Sequence, residues 1–173
     1  IFGDVCTATL VERLDNAPAG AWEVLGTRLL TSFSNAIRNN AGFMSRAEDR
    51  DPDDRDQLFY QEGRRVFKEV CPLAAQHMTS HLADLGFTPA QVRRFWLHQA
   101  NLPKHRPTPG RVWGRAPTPE DARVTWDVSP NPPPPGSITA SPRHSADFRA
   151  GDMGVICSFG AGYSIGSVVV RRT

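Results

Sequence analysis

The sequence predicts an α/β fold, and three stretches carry that prediction. The short apolar run Phe95-Trp96-Leu97 is cut off sharply by His98. A buried strand that ends in a histidine and then turns is how α/β enzymes present a side chain at the carboxyl edge of a sheet. Residues 57–85 place Leu58, Phe59, Val66, Phe67, Val70, Leu73, Ala74, Met78, His81 and Leu82 at helical spacing, which predicts a long amphipathic helix. Residues 153–159 and 164–171 are strongly apolar strands joined by Gly160-Ala161-Gly162. Their unbroken apolar character suggests strands buried on both sheet faces.

Composition bounds the function classes. At 173 residues one domain with a sizeable core is the default. The chain is 39% hydrophobic and 22% charged, and 20 basic against 18 acidic residues leave a net charge of only +2. That balance makes no case for nucleic acid as the main partner. Three cysteines without metal-like spacing predict reduced thiols and a cytoplasmic location. No apolar run approaches the roughly 20 residues of a membrane span. The chain opens on Ile1, inside an apolar stretch, so the expectation is a cut through a longer protein.

In chain order, residues 1–13 read as a strand with an early Gly3-Asp4 turn, and 16–20 as a turn. Residues 22–33 read as a second strand, making a hairpin or neighbouring pair with the first. Residues 35–56 are polar and irregular, either a substrate-covering loop or a solvated insertion, with Phe43 and Met44 as its apolar exception. Pro72 is expected to break or kink the long helix, and Gly86 to stop it. Thr88-Pro89 caps and opens a short helix reaching Arg93. Residues 124–126 read as a strand, 132–135 are four prolines favouring polyproline geometry, and 136–148 read as a helix interrupted at Pro142. His77 and His81 share a helix face at i, i+4, but no carboxylate or cysteine accompanies them, and no metal site is expected.

Five phrases together resemble the carboxyl-terminal half of the β-ketoacyl-[acyl-carrier-protein] synthase III family, in its β-ketodecanoyl-type branch. They are Phe2-Gly3-Asp4, residues 34–40, residues 61–70, Trp96-Leu97-His98-Gln99-Ala100-Asn101, and residues 151–166. The resemblance implies a thiolase-like fold: half of an α-β-α-β-α layered sandwich, a mixed sheet with flanking helices. It implies a decarboxylative Claisen condensation of an acyl group with malonyl-acyl carrier protein in fatty acid biosynthesis. His98 and Asn131 take the family's catalytic His and Asn, donating hydrogen bonds to the thioester carbonyl as the enolate forms. A neutral imidazole N–H and an amide both suit that task. Gly160, Ala161 and Gly162 match the loop whose backbone N–H holds the acyl thioester oxyanion, and Asn101 is a supporting residue of the turn. Arg64, Arg65 and Lys68 are the basic set for docking acyl carrier protein, with a solvated helix face as the alternative. No cofactor and no metal is implied, and the full-length protein is expected to be a homodimer.

The implied organisation is residues 1–45 as the end of the amino-terminal half, 46–83 as a loop and long helix, and 84–173 as the carboxyl-terminal domain. The family's nucleophilic Cys lies ahead of the Phe-Gly-Asp phrase. Cys6, Cys71 and Cys157 do not occupy its position, and each reads as a small buried hydrophobe. Prolines 103, 107 and 109 follow the His-Gln-Ala-Asn phrase, and Pro132 to Pro135 follow Asn131, where the family opens a helix. The alternative from another class is a non-catalytic thiolase-like module that binds carrier protein or a true synthase. A Cys6–His98 hydrolase is disfavoured, because no oxyanion motif accompanies Cys6.

Overall fold

A computed structural model of the chain describes residues 6–38, 46–49, 51, 53, 59–98 and 145–173. Its regular elements are β1 (Trp22–Thr31), β2 (Ile37–Arg38), β3 (Tyr60–Gln61), α1 (Gly63–Asp84), β4 (Val92–Leu97), β5 (Met153–Gly160) and β6 (Ser164–Arg172). Short 3-10 turns occupy Leu14–Asn16, Ala47–Asp49 and Pro89–Gln91.

Four strands form one mixed sheet in the order β1-β6-β5-β4. β4 runs parallel to β5, with Leu97 opposite Cys157. β5 and β6 are an antiparallel hairpin, and β6 pairs antiparallel with β1 from Arg172 opposite Trp22 to Ser164 opposite Thr31. The expected pairing of β1 with the preceding stretch is corrected for residues 6–13, and residues 1–5 lie outside the described residues. Residues 6–13 carry no strand and are exposed, and the partner of β1 is the last strand of the chain. β-branched residues suit a strand only where a neighbour supplies the ladder.

Both faces of the sheet are apolar, for different reasons. On one face α1 lays Ala74, Ala75, Met78 and Leu82 on Phe95, Leu97, Val155, Cys157, Ile165 and Val169. On the other, Trp96, Phe148 and Val170 cluster with Trp22, Ile156 and Val168. Alternation along β4 sends Phe95 and Leu97 to the helix and Trp96 to the far side, so all three are buried. Trp96 stacks on Phe148 at 5.3 Å and meets Trp22 edge-on at 5.6 Å. Its indole occupies the space over Gly154, where a Cβ would sit 2.1 Å from the ring. Arg94, 2% exposed, points to the same side and forks onto Asp147 through two 2.8 Å hydrogen bonds. Asp147 is held far below the usual carboxylate range, first by that pairing.

The long helix starts at Gly63, not 57, and runs unbroken through Pro72. Pro72 removes one backbone donor on the exposed side, while the buried stripe from Val66 to Leu82 keeps its phase across it. Packing of that stripe outweighs the local cost. The helix ends as expected. Gly86 has φ +78, and the Gly86 and Phe87 N–H groups donate to the Ala83 and Leu82 carbonyls at 2.9 Å, a Schellman motif. After it Gln91 Oε1 accepts from the Thr88 N–H and hydroxyl. β4 then begins at Val92, three residues before the expected start and where a short helix to Arg93 was expected. Residues 145–148 are turn and coil, so the expected helix over 136–148 does not reach them. The expected strand over 124–126 and the proline segments lie outside the described residues. No described helix is long and apolar enough to cross a membrane.

Candidate functional site

Strand direction brings the site together. β4 and β5 are parallel, and β1 runs the same way because two antiparallel pairings separate it from β5. The carboxyl ends of all three strands therefore share one edge of the sheet. That edge carries His98 after β4, the Gly160-Ala161-Gly162 turn after β5, and residues 32–34 after β1. Presentation at such an edge is what the apolar run into His98 predicted.

His98 extends the ladder by one bond, its backbone N–H donating to the Cys157 carbonyl at 2.9 Å. Its ring stands edge-on to Phe159, with 5.1 Å between centroids. Burial pushes the imidazole down to about 4, so the ring is neutral at physiological pH. Nδ1 is buried without a hydrogen-bond partner among the described residues. A neutral ring with one uncommitted nitrogen can offer a single N–H donor and is a poor base. That suits polarising a carbonyl better than abstracting a proton.

The glycine turn is pinned on two sides. Ser32 and Tyr163 exchange backbone hydrogen bonds, the Ser32 N–H donating at 2.7 Å, and the Ser34 N–H donates to the Gly162 carbonyl at 2.6 Å. Gly162 has φ +135, and a Cβ there would lie 2.9 Å from the Ser164 backbone nitrogen. Only glycine fits that backbone. Sequence reasoning missed the residues behind the turn. The buried Tyr163 hydroxyl donates to Glu69 Oε2 at 2.7 Å, and the Ser34 hydroxyl donates to the same oxygen at 3.2 Å. Glu69 Oε1 accepts from Arg65 Nε at 2.8 Å. The Arg65 and Tyr163 hydrogen bonds, in that order, lower the Glu69 carboxyl. A tyrosine directly after the glycines and an acid at i+4 from a basic residue were the available signals.

Arg64, Arg65 and Lys68 lie exposed on the first turns of α1. Arg65 is engaged by Glu69 and, at 3.6 Å, by Glu62. Asn101 and Asn131 lie outside the described residues, as do Phe43 and Met44. Of the cysteines, Cys71 and Cys157 are buried as expected, and burial pushes the Cys157 thiol up to about 12. Cys6 corrects the expectation: it is exposed, because residues 6–13 do not join the sheet. His77 and His81 are buried and converge on one hydroxyl, Ser167 Oγ, at 2.9 and 2.8 Å. Among the described residues no group of three or more His, Cys, Asp or Glu is placed to hold a metal ion.

No family model matches the chain. A β-ketodecanoyl-[acyl-carrier-protein] synthase of Pseudomonas aeruginosa is 48% identical over 173 residues, 99% of this chain and 49% of that protein. The chain thus spans about half the length of this curated relative. Among solved structures, the 3-oxoacyl-[acyl-carrier-protein] synthase III of Aquifex aeolicus superposes with a TM-score of 0.65 at 17% identity, over 87% of this chain and 44% of that one. The β-ketoacyl synthase III of Thermus thermophilus gives 0.66 at 24% identity, over 86% and 46%. The fold is therefore thiolase-like, and the family resemblance read from the motifs runs along the whole chain.

Proposed function

We propose that the chain is the carboxyl-terminal half of a β-ketoacyl-[acyl-carrier-protein] synthase III-like condensing enzyme of fatty acid biosynthesis. The observation that carries this reading is the pairing, at one sheet edge, of a neutral His98 with a pinned glycine turn. In the proposed reaction an acyl group waits as a thioester on a cysteine outside this chain. Malonyl-acyl carrier protein loses carbon dioxide, the carbon–carbon electron pair passes into an enolate, and the enolate attacks the acyl carbonyl. His98 donates its N–H to the malonyl thioester oxygen as charge develops, with Asn131 as the second donor and Asn101 supporting the turn. A backbone N–H of Gly160–Gly162 holds the oxyanion of the attacked thioester until the cysteine thiolate leaves. Cys157 is unsuited to nucleophilic work, since the thiolate is the reactive form and burial disfavours it, and Cys71 is buried on α1.

The same reading assigns residues 1–45 to the end of the amino-terminal half, 46–83 to the connecting loop and helix, and 84–173 to the carboxyl-terminal domain. It takes acyl carrier protein and acyl-CoA as partners, with Arg64, Arg65 and Lys68 as docking groups. It places the full-length protein in the cytoplasm as a homodimer. A non-catalytic partner module is the second reading, favoured by the absence of an activated thiol among the described residues.

Intact mass after incubation with acyl-CoA, with and without hydroxylamine, separates them when followed by a condensation assay. The half-enzyme reading expects no adduct on this chain alone. It expects product from malonyl-acyl carrier protein once the nucleophile-bearing half is supplied. A hydroxylamine-labile adduct on Cys6, Cys71 or Cys157 overturns the assignment of the nucleophile. Carrier-protein binding with no product in the complete assembly establishes the module instead.

A further inference from the structure

We propose that Glu69 is a positioning residue for the Gly160–Gly162 turn, acting through the Tyr163 hydroxyl. The inference rests on the reading of that turn as the oxyanion site. Backbone pairing to Ser32 and Ser34 holds the turn against β1, but both partners are themselves coil. The fixed body nearby is α1, and Glu69 reaches out from it. One carboxylate oxygen takes Tyr163 at 2.7 Å and Ser34 at 3.2 Å, so the two strands of chain that form the turn's wall are bolted to one atom. Tyr163 is 3% exposed among Ala36, Val66 and Val70, which leaves its ring one packed orientation. Arg65 Nε on the other carboxylate oxygen fixes the Glu69 rotamer and keeps the group ionised.

The physical need is local. A glycine turn has the freest backbone in the chain, yet an oxyanion donor works only when it is preorganised. A misplacement of about 1 Å costs on the order of 10²-fold in rate. A carboxylate–phenol bolt next to Gly162 supplies the missing constraint. Arg65 belongs to the proposed docking set and touches the same carboxylate, so an acidic partner on that face would share the guanidinium that pairs with Glu69.

Amide hydrogen exchange followed by NMR on the 173-residue chain tests the bolt. Glu69→Ala and Tyr163→Phe are each expected to speed exchange at Ser32, Ser34 and Tyr163 about tenfold, one hydrogen bond's worth. Val155 and Val169 in the core should keep their protection, the double variant should add little, and Glu69→Gln should recover part of the loss. Wild-type protection at the three amides, or an equal loss at Val155 and Val169, overturns the inference. In the complete condensing assembly, Glu69→Ala should lower kcat roughly 10²-fold with KM for malonyl-acyl carrier protein little changed, and Glu69→Gln should restore much of it. Absence of condensation in the wild-type assembly defeats the functional reading and, with it, the catalytic role of the bolt. The exchange result then still decides whether Glu69 holds the turn.

Discussion

In the proposed reaction His98 is the side-chain donor to the thioester oxygen, and its environment sets its protonation state. An unperturbed imidazole changes charge near 6.5, but burial lowers this one to about 4. The ring should therefore stay neutral from about pH 5 to 8. A proton NMR titration of the His98 ring should show no inflection near 6.5, and kcat of the complete assembly should show no step there. His98→Ala should cost about 10²–10³-fold in condensation, the price of one oxyanion donor. Acylation of the nucleophile should survive the substitution. A His98 inflection at 6.5 would mean the site is wetter than the packing against Phe159 implies.

At the scale of the element, α1 is held to the sheet by more than its apolar stripe. His77 and His81 reach the same Ser167 hydroxyl in the middle of β6. A hydroxyl carries one proton and two lone pairs, so with neutral rings at most one imidazole accepts from it and at least one donates to it. Burial, then the Arg28 charge, lowers both histidines. The unfolded chain binds protons below about 6.5 that the folded chain refuses. This contribution to stability is complete above that pH and is lost as pH falls toward the depressed folded values. Ser167→Ala leaves both ring nitrogens without their partner and should cost about 1–3 kcal/mol in urea unfolding at neutral pH. Its Cm should drop further when the measurement is repeated at about pH 5.5.

Across the whole molecule, the described residues cover the sheet face opposite α1 at one end. Trp22, Trp96 and Phe148 close it near the start of β1, while Leu29 and Phe33, toward and beyond the end of β1, are 87% and 85% exposed. Leu10, Val11 and Leu14 add further apolar exposure. A chain that spans half of its relative and presents this surface should self-associate when purified alone. Sedimentation velocity should show species above 19.1 kDa that shrink with dilution. The double substitution Leu29→Lys and Phe33→Ser should shift the distribution toward the monomer without loss of helix signal. A strictly monomeric wild-type chain at high concentration would sink this expectation.

Elements whose signal is local were legible in the amino-acid order. Continuous apolar runs marked β4, β5 and β6, a helical period marked α1, and Gly86 and Thr88-Pro89 punctuated its end. The strand end marked His98, and the family resemblance of the motifs implied its role and added Gly160–Gly162, because strand ends and tight glycine turns are written in a few consecutive residues. Where propensity and packing disagree, long-range packing set the outcome. Pro72 stayed inside a continuous helix because the stripe beneath it is buried on the sheet. Residues 6–13, for all that Thr7, Thr9 and Val11 suit a strand, carry none and are exposed, and β1 pairs with β6 instead. The partners that tune the site also lay beyond a sequence reading. Glu69 with Tyr163 and Ser34, Ser167 with the two histidines, and Arg94 with Asp147 are each brought together across 35 or more positions of chain. A hydrogen bond of that separation leaves no periodicity to detect. It exists only once the sheet has closed.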